Sequence, residues 1–177
     1  MRAERLRYSS TLESALLLRR SWFVWAAFAT FSAAWLLAIL AAPAFAPNDL
    51  GTISRPIYGF FSFICHQMPE RSFFIFGHKM AVCSRCFGVY TGLAAGILVY
   101  PVWREMDNLE PLPRFWLFAA MLPIGVDWSL GVLGIWDNTF ASRYITGAIL
   151  GIACATYILP AAVEVANFRV LRRHVSR

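Results

Sequence analysis

Charge is scarce in this chain. Asp, Glu, Lys and Arg make up 15% of the 177 residues, where a soluble domain carries about a quarter. Lysine is nearly absent, since fifteen of the sixteen Lys+Arg are arginine. Internal repeats and low-complexity tracts are missing, which removes solenoid and tail-like architectures. Four cysteines in 177 residues do not make a disulfide-dense secreted module. What remains is apolar: 59% hydrophobic, 16% aromatic, mean hydropathy +0.56. That composition excludes an ordinary cytosolic enzyme and describes a small integral membrane protein of one domain.

A membrane span needs about 20 predominantly apolar residues. Four segments qualify, at residues 21–46, 83–103, 115–136 and 144–163. The first and fourth are uncharged, the second is uncharged after Arg85, and the third holds one charge, Asp127. Ala44-Phe45-Ala46 resembles a signal-peptide cleavage site. The apolar stretch before it is too long, and Pro47 would follow the scissile bond, so the segment is expected to be a retained span.

The net charge of +6 is distributed as a membrane protein distributes it. Arg2, Arg5, Arg7, Arg19 and Arg20 precede the first span, and Arg169, Arg172, Arg173 and Arg177 follow the last. With the N-terminus inside, the inner side carries eleven Lys+Arg and the outer side five, namely Arg55, Arg71, Lys79, Arg85 and Arg143. The asymmetry predicts both termini in the cytoplasm of a cell inner (plasma) membrane protein, with basic segments 1–20 and 164–177 flanking a membrane domain at 21–163. The basic flanks suit anionic headgroups, so lipids are expected partners. Nucleic acid is not, because no basic stripe is interleaved with stacking aromatics.

The outer loop, residues 47–82, is aromatic-rich. Its runs at 56–64 and 72–76 are too short to span and belong at the interface. Trp22, Trp25, Trp103, Trp116, Trp128 and Trp136 sit near span ends, as an aromatic belt would. Gly88, Gly92 and Gly96 in the second span, and Gly147, Gly151 and Ala155 in the fourth, recur every fourth residue. Such faces let helix backbones approach closely in lipid, either within one chain or in a homo-oligomer or membrane complex.

Three of the four cysteines fall in two compact motifs, Cys65-His66-Gln67 and Cys83-Ser84-Arg85-Cys86. Both lie on the outer side. The C-x-x-C opens a span, where helix amides and dipole stabilise a thiolate, and a helix from there aligns Cys83, Cys86 and Tyr90 on one face. Three chemistries use these residues. Cys83 and Cys86, with Cys65 or His66 and His78 as a further candidate, could bind a metal, zinc by preference. The pair could be redox-active with Cys65 as exchange partner. Cys65 could form a structural disulfide with either. Cys154, mid-span, is expected to be a packing residue.

Asp127 is an intramembrane carboxylate, expensive unless partnered and therefore a candidate functional group. With the third span ending at Trp136 it lies about 12 Å deep, and Pro123 four residues earlier could kink that helix. The expected partner is Arg143, with Asp137 its rival; Arg71 and Arg85 are expected to meet headgroups, and His78 and Lys79 to be solvated. Asp127 and Arg143 are the candidate catalytic residues, in the role of relaying a proton, binding a cation or polarising a metal ligand.

At these motifs the chain resembles a prokaryotic family of predicted membrane proteins known as domain of unknown function 2085. The likeness is carried by Cys65-His66-Gln67, Pro69-Glu70-Arg71-Ser72-Phe73-Phe74, Gly77, the stretch from Val82 to Gly92, and Pro123, Asp127, Arg143 and Thr146-Gly147. Asp127-Trp128 stands where that family tends to have Asp-Gly. The resemblance spans residues 55–155 and implies a multi-pass protein with a cysteine/histidine site, without supplying an activity.

The expectation is an all-α integral membrane bundle of four transmembrane helices, N-in and C-in, with its outer loop folded over the outer mouth. The candidate metal ligands are Cys65, His66, Cys83 and Cys86, and zinc is the expected cofactor, structural or catalytic. A membrane thiol oxidoreductase linked to a quinone is the alternative, set back by the odd number of outer cysteines. A non-enzymatic scaffold subunit is the third reading.

Overall fold

The structure, a computed structural model, describes the backbone of residues 2–46, 51–106 and 110–175, and side chains over 15–46, 52–106 and 110–168. The side chains of the flanking arginines 2, 5, 7, 169, 172 and 173, and all of Pro47 and Arg177, lie outside the residues so described.

The apolar runs become helices because lipid offers no partner for backbone N–H and C=O, and a helix satisfies nearly all of them internally. Helix α1 runs from Arg2 to Phe45, α3 from Ser84 to Trp103, α4 from Phe115 to Val132 and α5 from Phe140 to Val175. All four are long and apolar enough to cross a membrane, over Ala15–Phe45, Ser84–Trp103, Phe115–Val132 and Phe140–Phe168. The all-α bundle with four membrane-crossing helices is therefore present. At 44 and 36 residues, α1 and α5 outrun a bilayer core of about 30 Å. Arg19 and Arg20 stay within α1, so the basic segment is no separate element.

Two span limits differ from the sequence reading. Helix α4 stops at Val132 and not Trp136, because the chain turns at Gly134, whose φ of 67° is left-handed. Helix α5 starts four residues early, at Phe140.

The centre of the bundle is the α3–α5 pair, whose small-residue faces interlock. A Cβ added to Gly92 would overlap Ala148's carbonyl oxygen, and one added to Gly151 would overlap that of Val89. Gly147 rests in the same way on Arg85's carbonyl oxygen. Position 85 faces 147, 89 faces 151 and 96 faces 155, so the two helices run parallel, with the first turn of α3 against the second turn of α5. The glycine faces are thus filled within one chain. Helix α1 packs against both, and Trp25, expected in an aromatic belt, donates its indole N–H to Ile97's carbonyl at 2.7 Å. The other belt tryptophans, 22, 103, 116, 128 and 136, are exposed.

The aromatic-rich loop is a folded unit. Helix α2 covers Gly51–Ser62 and turns Ser54, Ile57, Tyr58 and Phe61 inward at helical spacing. Ser54 donates to Ala42's carbonyl at 2.8 Å, tying α2 to the end of α1. A one-turn 3-10 helix at Pro69–Arg71 leads to a hairpin of β1, Phe74–Ile75, and β2, His78–Lys79, with Ile75 opposite His78. Phe76 and Gly77 at its tip have φ of 51° and 78°, the paired positive values that a two-residue type I′ turn requires. Beneath lies a core of Ile39, Ala42, Phe61, Met80, Ala81 and Val82, into which Cys65 is also buried.

The helix pair generates a prediction. Gly92→Leu or Gly147→Leu forces α3 and α5 apart and should destabilise the protein by about 3 kcal/mol or more. The check is the thermal midpoint in detergent, with Gly59→Leu as control, since nothing lies within 4 Å of a Cβ at Gly59.

Candidate functional site

Two segments meet where α2 and α3 converge. Cys65 follows α2 directly, with its N–H bonded to Phe61's carbonyl at 2.9 Å. Gln67, at a left-handed φ of 50°, then bends the chain away. Its side-chain amide donates to Tyr58's carbonyl at 2.8 Å, and its own carbonyl receives Lys79's ammonium at 2.9 Å. The Tyr58 hydroxyl donates to Lys79's carbonyl, and burial raises its pKa. These three side chains lace helix, bend and hairpin into one frame around Cys65. Lys79, expected to be solvated, is part of it.

Cys83 stands at the N-cap of α3 in extended conformation, and Cys86 lies in the first turn. The Cys83 N–H donates to the Cys65 sulfur at 3.2 Å. The sulfurs of Cys65, Cys83 and Cys86 lie within 4.8 Å of one another, and all are free thiols. Cys83, just ahead of the span Ser84–Trp103, has its pKa drawn well below the usual thiol range. The Cys65 thiol contributes most, Cys86's next, and the backbone N–H groups of Cys86 and Arg85 assist against the opposing effect of burial. One thiolate sharing two neighbouring S–H protons at a helix N-terminus is the physical content.

His66 does not join this group. It is exposed, on the rim of a cavity of about 310 Å³ that reaches Cys65, Cys83 and Cys86. His78 is exposed on β2 and also stands apart. Cys154 is half-buried within α5, away from the other three.

Asp127 is buried on α4 and pairs with Arg85, not with Arg143. The expected partner was wrong because Arg85 turns sideways from the first turn of α3 toward α4. Arg85 and the C-x-x-C are neighbours in sequence, so the ion pair and the thiols share one helical turn. Asn138 donates to Asp127's backbone carbonyl, tying the turn after α4 back onto the helix. Ser142 and Asn138 also stand beside the carboxylate. With α4 ending at Val132, Asp127 is about 8 Å from the helix end, shallower than the 12 Å expected. Gly131 makes room for Asn138, whose side-chain oxygen a Cβ there would overlap.

Sequence reasoning named the three thiols and Asp127 but missed Gln67, Lys79, Tyr58 and Asn138. The signal for Gln67 was its place in Cys65-His66-Gln67; for Asn138 there was none.

The ion pair yields a prediction. Asp127→Asn leaves Arg85 charged and partly buried, and should destabilise by about 3 kcal/mol. Asp127→Leu combined with Arg85→Met should recover most of that loss. A double-mutant cycle on thermal midpoints in detergent reads both, and additive losses would refute the coupling.

The same stretch of chain is what known proteins share. A family model described as predicted membrane protein, domain of unknown function 2085, matches residues 65–157. The match opens on Cys65 and contains the thiols, the ion pair and the α3–α5 contact. An uncharacterised protein of Methanocaldococcus jannaschii is 44% identical over 133 residues, covering 72% of this chain and 85% of that protein. An uncharacterised protein of Methanothermobacter thermautotrophicus is 32% identical over 103 residues, covering 56% and 89%. No solved structure matches. With its motifs, four apolar helices and a relative covered over most of its length, the chain belongs to the family of predicted membrane proteins called domain of unknown function 2085.

Proposed function

We propose that this multi-pass membrane protein holds a zinc ion on Cys65, Cys83 and Cys86 at the extracytoplasmic face. The observation that carries this reading is the convergence of three sulfurs within 4.8 Å from segments 18 residues apart. Zinc–sulfur bonds of about 2.3 Å place tetrahedral sulfurs about 3.8 Å apart, so a small contraction suffices. Metal binding needs thiolates, and Cys83 already favours that state. The fourth position would face the cavity that His66 rims, to be filled by His66 or by water. With His66 the ion clamps the loop onto α3. With water the site is of the open kind that catalyses.

The orientation rests on charge. Eleven Lys+Arg lie toward the termini end and five toward the cysteine end, which favours cytoplasmic termini and an inner (plasma) membrane location. Phe76, exposed at the hairpin tip, and Glu105, exposed after α3, give the test. A membrane-impermeant maleimide applied to intact cells should label Phe76→Cys and spare Glu105→Cys, and the reverse pattern would invert the topology.

Metal content and free thiols, counted together on detergent-purified protein, test the site. The expected result is about one zinc per chain, lost in Cys65→Ser, Cys83→Ser and Cys86→Ser and kept in Cys154→Ser. If His66 is the fourth ligand, His66→Ala weakens zinc by about tenfold or more. Protein free of metal, with two of the three cysteines in a disulfide that reductant opens, would overturn the metal reading. The site would then exchange thiols, giving two electrons and two protons to an acceptor such as a quinone.

A further inference from the structure

A second cavity, of about 420 Å³, adjoins the first and shares Arg71, Cys83 and Cys86 with it. Arg71, Arg85 and Arg143 all line it. These are three of the five basic residues at this end of the chain, and Arg143 lies within electrostatic range of both others. Guanidinium groups held together repel one another, the more so where lipid and protein lower the dielectric. A compensating anion would remove that cost. Asp127 pairs with Arg85 and reaches Arg143, as Cys83 does, only at longer range, so it compensates part of the group. Among the described residues, Arg71 and Arg143 have no carboxylate within ion-pair distance, and Asp137 on the rim is exposed. The Nε of Arg85 is buried without a hydrogen-bond partner.

The backbone adds to the same field. Helices α3 and α5 run parallel, and the first turns of both line this cavity through Arg85 and Arg143. Their free N–H groups and positive dipole ends favour an anion at this end. Arginine forks match tetrahedral oxyanions by paired hydrogen bonds. Across the cavity stand Trp128, Val132 and Trp136, large apolar side chains left exposed.

We propose that this arginine cleft binds a phosphate-type oxyanion, carried either by a soluble molecule or by a phospholipid headgroup, directly beside the thiol group. The site is built from α3, α5 and the 3-10 turn, and does not depend on the identity of what the thiols hold.

The test titrates the detergent-purified full-length chain with inorganic phosphate and, separately, with detergent micelles doped with phosphatidylglycerol, against chloride at equal ionic strength. Saturable phosphate binding supports a soluble ligand. Saturation by doped micelles alone supports a headgroup. In either arm Arg71→Gln and Arg143→Gln should each weaken binding about tenfold, and Arg114→Gln, at the far end of α4, should not. Arg143→Lys keeps the charge but not the fork, and should bind more weakly than the parent and more tightly than Arg143→Gln, which separates loss of the site from loss of the fold. Cys65→Ser, at a thiol that lines only the first cavity, should lose any metal and keep the anion. No saturable binding in either arm would overturn the proposal. So would binding indifferent to Arg71 and Arg143, or binding that disappears with the metal while surviving both arginine changes.

Discussion

Everything at the cysteine end depends on how closely α3 approaches α5. In lipid, helices gain little by hiding apolar surface from one another, so association relies on packing and on backbone proximity. Glycines at 88, 92, 147 and 151 bring each backbone against carbonyl oxygens of the other. The contact also fixes register, because a glycine meets its carbonyl only at one offset. Register in turn sets Arg85 beside Gly147, and so brings the start of α3 against α5 one turn past Arg143. The chemistry-bearing residues gather around that contact. A slip of one turn, about 5.4 Å, would carry Arg143 away from Arg85 and Arg71 while leaving every local motif intact.

The ion pair between Arg85 and Asp127 then binds the third helix into this arrangement. Burying a carboxylate in a membrane helix is expensive, and Arg85 offsets the cost with an ion pair, while Asn138 bonds the same residue's backbone and Ser142 stands beside it. These come from α3, from the turn after α4 and from the start of α5, so the carboxylate acts as the knot among three helices. A charge pair alone is weak evidence of stability. Its use here is placement, since it orients the turn that carries the C-x-x-C.

Much of this was legible in the sequence, for reasons that can be named. The spans declare themselves by length and lack of charge, and the small-residue spacing declares the α3–α5 face. The C-x-x-C and Cys65 announce a thiol group because no other residue type does that chemistry at such spacing. Asp127 stands out as a charge where none is cheap. Its partner was not legible, since Arg143 and Arg85 are both basic residues at span starts, and only the rotation of α3 about its axis separates them. The frame around Cys65 was also hidden. In α2 the inward pattern of Ser54, Ile57, Tyr58 and Phe61 is masked by Pro56 and by apolar residues such as Ile53 and Phe60 on the outward face. Cys65 is buried and His66 exposed, so the two adjacent residues meet different surroundings, which their order in the sequence does not reveal.

The thiol group occupies a wall rather than a pocket floor. From one side it is reached through a cavity rimmed by His66, from the other through a cleft lined by arginines, and Cys83, Cys86 and Arg71 face both. A purely structural clamp needs no access from either side, because closed sites are stable by enclosure. The two openings differ in chemistry as well as in place. The first adds ligand-type groups to the sulfurs, and the second adds positive charge with no matching carboxylate on Arg71 or Arg143. A cation held by the thiols and an anion held by the arginines would be neighbours across Cys83 and Cys86, yet each would take its affinity from different side chains, sulfurs for one and guanidinium groups for the other. That shared wall is a reason for a membrane protein to place a scarce charge, three scarce cysteines and two helix N-termini at a single point.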